Sequence, residues 1–523
     1  MSFLSFDDFS GGLDVRPAAA LAKPNILRVL TNGYVTTGKS IKKRPCLENV
    51  ATLESGTVGL KAFGGKLNTF FGQGVAVTHA DTRFVARRAP HISTGAPPTK
   101  IHYCDQYNAL MYVVAEYGDA TFRHHYLDDP GVWVDITVHT LGDYRRPTTA
   151  NGFRYKASAG TTGGVEPVWP LSIGGTVVDG TVTWTCESFS VTDANCPHTK
   201  QVTKQAQKIF AVGLSDNTTV RYCKTGDPRN WTAASDAGFL PAGLYAKGSD
   251  QVTAIGPFQK SGLWVAFSDN SQVWAVDPNP ANNSLLDNIE GIGTFFHRAA
   301  SPVSRDLFFL AQNGFRSVSL ISLTDNLQDN DVGSAIDTLV KASVSASDDP
   351  LSMYYPKLGQ FWSINGDIAW AYSFSRTSKI SAWSKYTFPF AIDDATVLNQ
   401  ELYVRTGNDV YRVSDTVFKD GVSTPPLVDV LMFYQDGKRP GVLKQFMGMD
   451  IIGVGQWTIS HLFDAGNQTL ESQAYEYPAV TESGDMHPVE LLSTRIAPHL
   501  THQKDEAAEL SMLMFLYENL GAL

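Results

Sequence analysis

The sequence predicts an all-β protein: a β-propeller of six or seven blades, with a small inserted β-module and a C-terminal β-sandwich-like domain. Three observations lead there. Stretches in which large side chains alternate around an Asn/Asp/Gly turn recur along the middle of the chain, and period-two alternation marks a strand with one buried face. Clear strand starts fall near residues 263, 306, 359 and 401, spaced by 43, 53 and 42 residues, close to the ~40–50 residues of a propeller blade. The 523 residues, 18% charged and 43% apolar with 44 Gly and 26 Pro, describe a folded, turn-rich chain with ample core material.

Residues 1–57 read as an N-terminal arm. It holds Phe9-Ser-Gly-Gly-Leu-Asp-Val-Arg-Pro17, a short helix over Lys23 to Leu30, and Asn32-Gly-Tyr-Val through Lys42-Lys-Arg-Pro45. Gly33-x4-Gly38-Lys39-Ser40 matches the phosphate-binding P-loop to the letter, but that loop needs a buried strand before it and a helix after it. Pro45 would stop such a helix within about one turn, and no β-α-β alternation follows. The segment reads as a hairpin with Gly38 at its turn and a basic second strand.

The propeller is expected over 58–425. Leu263 to Val276, L-W-V-A-F-S-D-N-S-Q-V-W-A-V, is the clearest hairpin, and it recurs at Asp306 to Leu320, Gln360 to Tyr372 and Gln400 to Val413. Fainter copies lie at Gln207 to Tyr222 and Asn108 to Tyr126, and Val58 to Phe71 supplies one more. Radial stacking of such sheets buries aromatic faces, so Trp264, Phe267 and Trp274 are expected in the core. The interval between the copies near 108 and 208 is too long for one blade. Within it, 148–191 reads as a small β-module inserted in the propeller, and Val177-Val-Asp-Gly-Thr-Val182 is a type I′ hairpin signal. Tyr155, Trp169 and Trp184 either form the module's miniature core or stack on a glycan. A module this small needs them for burial. Residues 426–523 form the C-terminal β-domain, with strands at Val428 to Met432, Lys444 to Val454 and Gln456 to Phe463. Glu509 to Tyr517 reads as a strand or a helix.

Little in the chain announces chemistry. The five cysteines are irregularly spaced with no C-x-x-C pair, so free buried thiols are expected in place of disulfides or zinc. The first residues lack the basic and apolar regions of a signal peptide, and no window approaches the ~20 apolar residues of a membrane span, so a soluble protein made in the cytoplasm is expected. His124-His125 with Asp128-Asp129 is the densest set of potential ligands. Adjacent strand residues face opposite ways, so a solvated strand end is expected there rather than a metal. The pairs Asp128-Asp129, Asp348-Asp349 and Asp393-Asp394 suit turns, although carboxyls converging across a cleft would suit a glycosidase. The acidic run Asp325 to Asp331 lacks the EF-hand pattern. A net charge of −10 excludes a surface built to wrap nucleic acid and suits one that nucleic acid slides past.

The arm F-S-G-G-L-D-V-R-P (Phe9 to Pro17) followed by N-G-Y-V…G-K-S-I-K-K-R-P-C (Asn32 to Cys46) resembles the opening of the tail nozzle, or tubular protein B (stabilisation protein), of short-tailed bacteriophages. The insert Y-K-A-S-A-G-T-T-G-G-V-E-P-V-W-P is similar to a module of phage structural and tail proteins. The resemblance implies a virion protein made in a bacterial cytoplasm: a homohexameric ring that continues the DNA-ejection channel below the tail adaptor protein and docks tail fibres or spikes. Double-stranded DNA would pass without specific binding. It implies no catalytic residues, no cofactor and no metal. The alternative is a glycan-binding or glycan-cleaving, tailspike-like propeller acting in host adsorption. A cellular propeller scaffold would lack the arm and the insert.

Overall fold

The computed structural model describes residues 2–522 except 20, 73–78, 93, 129, 215, 234–235, 247–249, 320–331 and 483. Seven small sheets follow one another along the chain, over 57–88, 98–127, 202–240, 254–290, 300–317, 351–387 and 394–414, and are numbered blades 1 to 7 in that order. Their first strands are Thr57–Phe63, Pro98–Tyr107, Val202–Gln205, Ala254–Phe258, Ala300–Val303, Leu351–Tyr355 and Asp394–Leu398. Each packs against the next, and the seventh packs against the first. That closed ring of inner strands is a seven-bladed β-propeller.

Local chemistry explains the blades. In blades 2, 3 and 7 a two-residue turn joins the inner strand to the next, with both central residues at positive φ: Asn108 and Ala109, Ala206 and Gln207, Asn399 and Gln400. Gly64 and Gly65 play the same part in blade 1. Positive φ at both positions matches the right-handed twist of the flanking strands. The Leu263 to Val276 hairpin forms strands Gly262–Ala266 and Asn270–Ala275, the middle of blade 4. Trp264, Phe267 and Trp274 are buried as expected. Trp264 packs at a tilt against Phe309 of blade 5 with ring centroids 4.7 Å apart, while Phe267 and Trp274 pack toward blade 3. Blade 1 departs from the pattern, since Lys66–Phe71 pairs with Phe84–Arg88 in parallel.

Both chain ends build the second body. Cys46–Thr52 pairs antiparallel with Asp409–Ser414 and completes blade 7, so the part of the arm over 46–52 lies within the propeller. The rest of the arm joins the C-terminal strands. One sheet of the sandwich runs Gly33–Val35, Ile41–Lys43, Glu509–Ala522, Val442–Val454 and His487–Ser493, with Ser2–Phe6 also on Glu509–Ala522. The other holds Ile26–Thr31, Val428–Met432, Ala497–His502, Gln456–Leu462 and Tyr475–Pro478. Phe6, Phe9, Leu30, Phe446, Trp457 and Phe515 fill the space between. Two sequence expectations resolve here. The helix expected over Lys23 to Leu30 is the strand Ile26–Thr31, because pairing with Val428–Met432 outweighs a short helical pattern. Glu509–Ala522 is a strand, paired along its length with Val442–Val454.

The second sheet does not stop at the sandwich. Through Gly12–Leu13 and Ile26–Thr31 it continues into Ile380–Thr387, the last strand of blade 6, for ten strands in all. The Gly11-Gly12 pair makes this possible. A Cβ at Gly12, where φ is +58°, would lie 2.6 Å from Ala382 Cβ, and one at Gly11 would lie 2.4 Å from Ile26 Cγ2. Asn32, at φ +54°, exchanges hydrogen bonds with Thr387 at 2.9 Å in both directions. Arg44, 2% exposed, bonds Asn32 Oδ1, Thr387 O and Asp420. The stretches Phe9 to Pro17 and Asn32 to Cys46 are therefore the junction between propeller and sandwich.

Candidate functional site at the propeller axis

The axis of a propeller is where loops from every blade converge, and here it is filled by charge. Lys100 and His102 come from the inner strand of blade 2, and Glu116 from its second strand. His297 and Arg298 precede the inner strand of blade 5, Asp349 precedes that of blade 6, Asp394 opens blade 7, and Lys61 lies in blade 1. Lys100 Nζ reaches Asp349 at 2.5 Å and His102 Nδ1 lies 3.1 Å from His297 Nε2. Blade 2 neighbours neither blade 5 nor blade 6 in the ring, so these contacts cross the axis and bolt it shut. Arg298 donates to Asp349 at 2.9 Å and lies 4.0 Å from Asp394, which also takes Lys61 Nζ at 2.7 Å and Leu60 N at 3.1 Å.

The protonation states follow from enclosure. Burial pushes His102 down to about 3 against the opposing pull of Glu116, 2.7 Å from its Nε2. Burial likewise pushes His297 to about 3, with Asp349 opposing. Two neutral imidazoles in line have one consistent arrangement: His102 Nε2–H donates to Glu116, and His297 Nε2–H donates to His102 Nδ1. Burial would raise Asp349 and Asp394, but Arg298 and Lys100 hold the first, and Lys61 and Arg298 the second, below the ordinary carboxylate range. A general acid needs a raised carboxyl and a general base needs a free one. These carboxylates are ionised and occupied by cations.

The carboxylate pairs read from the sequence divide accordingly. Asp348 accepts from Ser345 N at 2.9 Å, as turn residues do, whereas Asp393 stands just before the inner strand of blade 7 and accepts from Gly407 N, 14 residues on, at 2.7 Å. Asp349 and Asp394 are not turn residues of that kind: they converge on Arg298 from different blades. Asp128 joins three bodies, binding Arg154 of the insert and, at 3.0 Å, Arg229 between the third and fourth strands of blade 3. Asp129 and the acidic run Asp325 to Asp331 lie outside the described residues. The solvated strand end expected at His124-His125 is overturned, since both rings are fully buried. Residues 189–191, returning from the insert, cover the outer edge of that strand. His124 bonds Tyr112 Oη and Thr199 O, each at 2.8 Å, on one face. His125 bonds Tyr117 Oη at 2.7 Å on the other, so the opposite facing holds. Among the described residues no group of three or more His, Cys, Asp or Glu is placed to hold a metal.

The remaining candidates are structural. The Gly33 to Ser40 match is a hairpin in the sandwich, with Lys39 Nζ on Asp8 at 2.7 Å and Ser40 Oγ donating to Glu509 at 2.6 Å. The inserted module begins earlier than residue 148, with strands from Val138–His139 to Val182–Glu187. Its hairpin has positive φ at Gly180 alone, the pattern of a type II′ rather than the expected I′ turn. Tyr155 and Trp184 are fully buried, and Trp169 packs against them at 4.3 and 5.7 Å. Their polar atoms are used internally: Trp184 and Trp133 donate to Asp179, Trp169 to Glu166, and Tyr155 to Pro170 O. The aromatics form a core, not a ligand face. Among the described residues no helix is long and apolar enough to cross a membrane.

No family model matches the chain, and no curated protein matches it. Solved structures similar to it include the Dos1 propeller (10% identity, 71% of this chain and 95% of that one, TM-score 0.31). The Neurospora crassa Pan2 WD40 domain is 9% identical over 62% of this chain and 90% of that one, with TM-score 0.29. An exo-β-1,3-galactanase from Phanerochaete chrysosporium, solved with galactose, is 11% identical over 82% and 98%, with TM-score 0.26. Likenesses this distant carry no functional argument. The propeller itself rests on the closed ring of inner strands.

Proposed function

We propose that this chain is a structural virion protein, the tail nozzle of a short-tailed phage. Copies of it close a ring, a homohexamer, that forms the distal part of the DNA-ejection channel below the tail adaptor protein and carries fibres or spikes. The observation that carries this reading is the junction. The stretches that resemble the nozzle family, Phe9 to Pro17 and Asn32 to Cys46, supply Gly12, Asn32 and Arg44, which weld propeller and sandwich into one sheet. A rigid wall element of that kind suits a tube. The net charge of −10 suits a lumen that double-stranded DNA passes without sticking. The glycan-cleaving alternative is disfavoured because Asp349 and Asp394, which do converge, are neutralised by Lys100, Arg298 and Lys61. Imaging purified protein or tails tests the reading: six-fold rings are expected. Stable single chains within assembled virions, or new reducing ends released from host polysaccharide, would overturn it.

A further inference from the structure

One sheet of the sandwich has a bare edge on each side. Its strands run in the order Ser2–Phe6, Glu509–Ala522, Val442–Val454 and His487–Ser493, each antiparallel to the next. Among the described residues nothing pairs with the far edge of Ser2–Phe6 or with that of His487–Ser493. Gly33–Val35, the remaining outer strand of this sheet, packs against Ile380–Thr387 of blade 6. The other sheet has no such pair of edges, because one of its sides continues into blade 6. A bare edge is a row of unpaired N–H and C=O groups, and natural proteins guard it with charge, proline or a bulge. Ser2–Phe6 reads S-F-L-S-F and carries neither charge nor proline.

The two edges match each other side chain by side chain. On Ser2–Phe6, Phe6 is buried in the core, Leu4 is half-buried against it, and Phe3 is 62% exposed on the opposite face. On His487–Ser493, Val489 is buried in the same core, Leu491 is half-buried against it, and Leu492 is 57% exposed on the opposite face. Setting Leu4 beside Leu491 and Phe3 beside Leu492 satisfies both alternations. The same register puts Phe6 beside Val489 and Ser5 beside Glu490, so Glu490 meets no like charge. Pro488, which has no N–H to give, falls outside the five pairs. A slip by one residue would set each inner side chain against an outer one. Strand direction fits as well. Ser2–Phe6 runs opposite to His487–Ser493, so a second copy set beside the sheet in the same orientation offers an antiparallel edge. The strand that completes each edge is therefore one that this chain already carries on the other side of the same sheet.

The geometry points to strand Ser2–Phe6 of one copy pairing with strand His487–Ser493 of the next, a heterologous contact that joins the sandwich sheets of neighbouring copies into one belt. The inference rests on the ring reading above and names the strands that close the ring. Cysteine pairing on the full chain tests the register. Within one chain Phe3 and Leu492 lie on strands three spacings apart, about 14 Å, beyond the ~7 Å between Cα atoms that a disulfide spans. In neighbouring copies they stand directly opposite. Oxidised Phe3→Cys/Leu492→Cys is therefore expected to run on a denaturing gel as a ladder of multiples of 57.0 kDa, and wild type as one chain. Native mass reads the assembly itself, with wild type expected at multiples of the same mass. Phe3→Lys/Leu492→Lys sets two ammonium groups opposite each other in place of an apolar pair and should weaken association at least ~10-fold. Phe3→Lys/Leu492→Glu should restore it. Both positions are exposed in the single chain, so these variants fold alike, which melting curves check. A wild type that assembles while the cysteine variant gives no ladder, or a Phe3→Lys/Leu492→Lys variant that assembles like wild type, overturns the contact while the ring reading stands. A wild type that remains a single chain overturns both.

Discussion

Acid should unfold this protein over a narrow range, and the reason is countable. His102, His124, His125, His297 and His461 are all held below the ordinary imidazole value by burial, to about 3 for His102, His124 and His297 and about 4 for His461. A lowered native pKa means that the unfolded chain binds the proton first. Stability is then complete above the unfolded value of about 6.5 and is lost as pH falls below it. Near pH 5 these five rings are neutral when folded and charged when unfolded, so they alone take up about five protons on unfolding, a slope of roughly 7 kcal/mol per pH unit. His198, lowered to about 4, and His91 and His502, also lowered by burial, add to the uptake. Lowering the pH from 6.5 to 5.5 alone costs about 5 kcal/mol, comparable to the entire stability of many domains. Other groups act in other windows. His499, raised by its hydrogen bonds to Asp429 and Glu471, stabilises below its native pKa and loses that contribution as pH rises through it. Asp349 and Asp394, lowered by their cations, act below about pH 4. Urea midpoints at constant ionic strength from pH 7.5 to 5 measure the uptake, and His102→Gln should reduce it by about one proton. An uptake of one proton or none in wild type would refute the neutral state of these rings.

Three further outcomes follow from the junction and the thiols. Gly12→Ala adds a Cβ 2.6 Å from that of Ala382 at φ +58° and should cost at least ~2 kcal/mol, read from urea midpoints, whereas Gly142→Ala, with open space around its Cβ but φ +96°, should cost only the backbone term of about 1 kcal/mol. Asp420→Ala leaves the Arg44 guanidinium buried without its carboxylate and should cost about 3–5 kcal/mol. It should also expose the 46–52 strand to proteolysis, because Asp420 accepts from Leu47 N. All five cysteines are free, and burial raises their thiols, to about 11 for Cys46 and Cys186 and about 12 for Cys104 and Cys223. A thiol reagent at pH 8 should therefore label the native protein slowly and all five positions after unfolding, with no change in either count on prior reduction.

How much was legible depended on sequence distance. Each hairpin visible by alternation from blade 2 onward proved to be the second and third strands of its blade, because those set large side chains on both faces against neighbouring blades and are joined by short turns. Inner strands such as Ala300–Val303, A-S-P-V, are short and enclosed by neighbouring blades, so they show no clean period. The closing strand Cys46–Thr52 was read as arm because its partner lies more than 350 residues away, and nothing local distinguishes it. The histidines show the same limit. His124-His125 drew attention as neighbours in sequence and proved to be separate core residues, whereas the pair that meets across the axis, His102 and His297, is 195 residues apart. Sequence reasoning missed it, along with Glu116 and Arg298, since no spacing encodes a contact between blades 2 and 5.

The junction bears on how a channel made from such a chain would open. A hinge between two bodies needs a connection crossed by few contacts. Here a single ten-stranded sheet runs from blade 6 into the sandwich, and Asn32 and Arg44 stitch the same seam with hydrogen bonds to Lys385 O and Thr387. Bending there would break backbone pairing and strip a buried guanidinium of its partners, at a cost of several kcal/mol. The propeller axis is bolted in turn by Lys100–Asp349 and His102–His297. Neither the seam nor the axis is then a place where a small trigger acts. Within the proposed ring, opening belongs to contacts between copies or with docked partners, which can be released without breaking anything inside the chain.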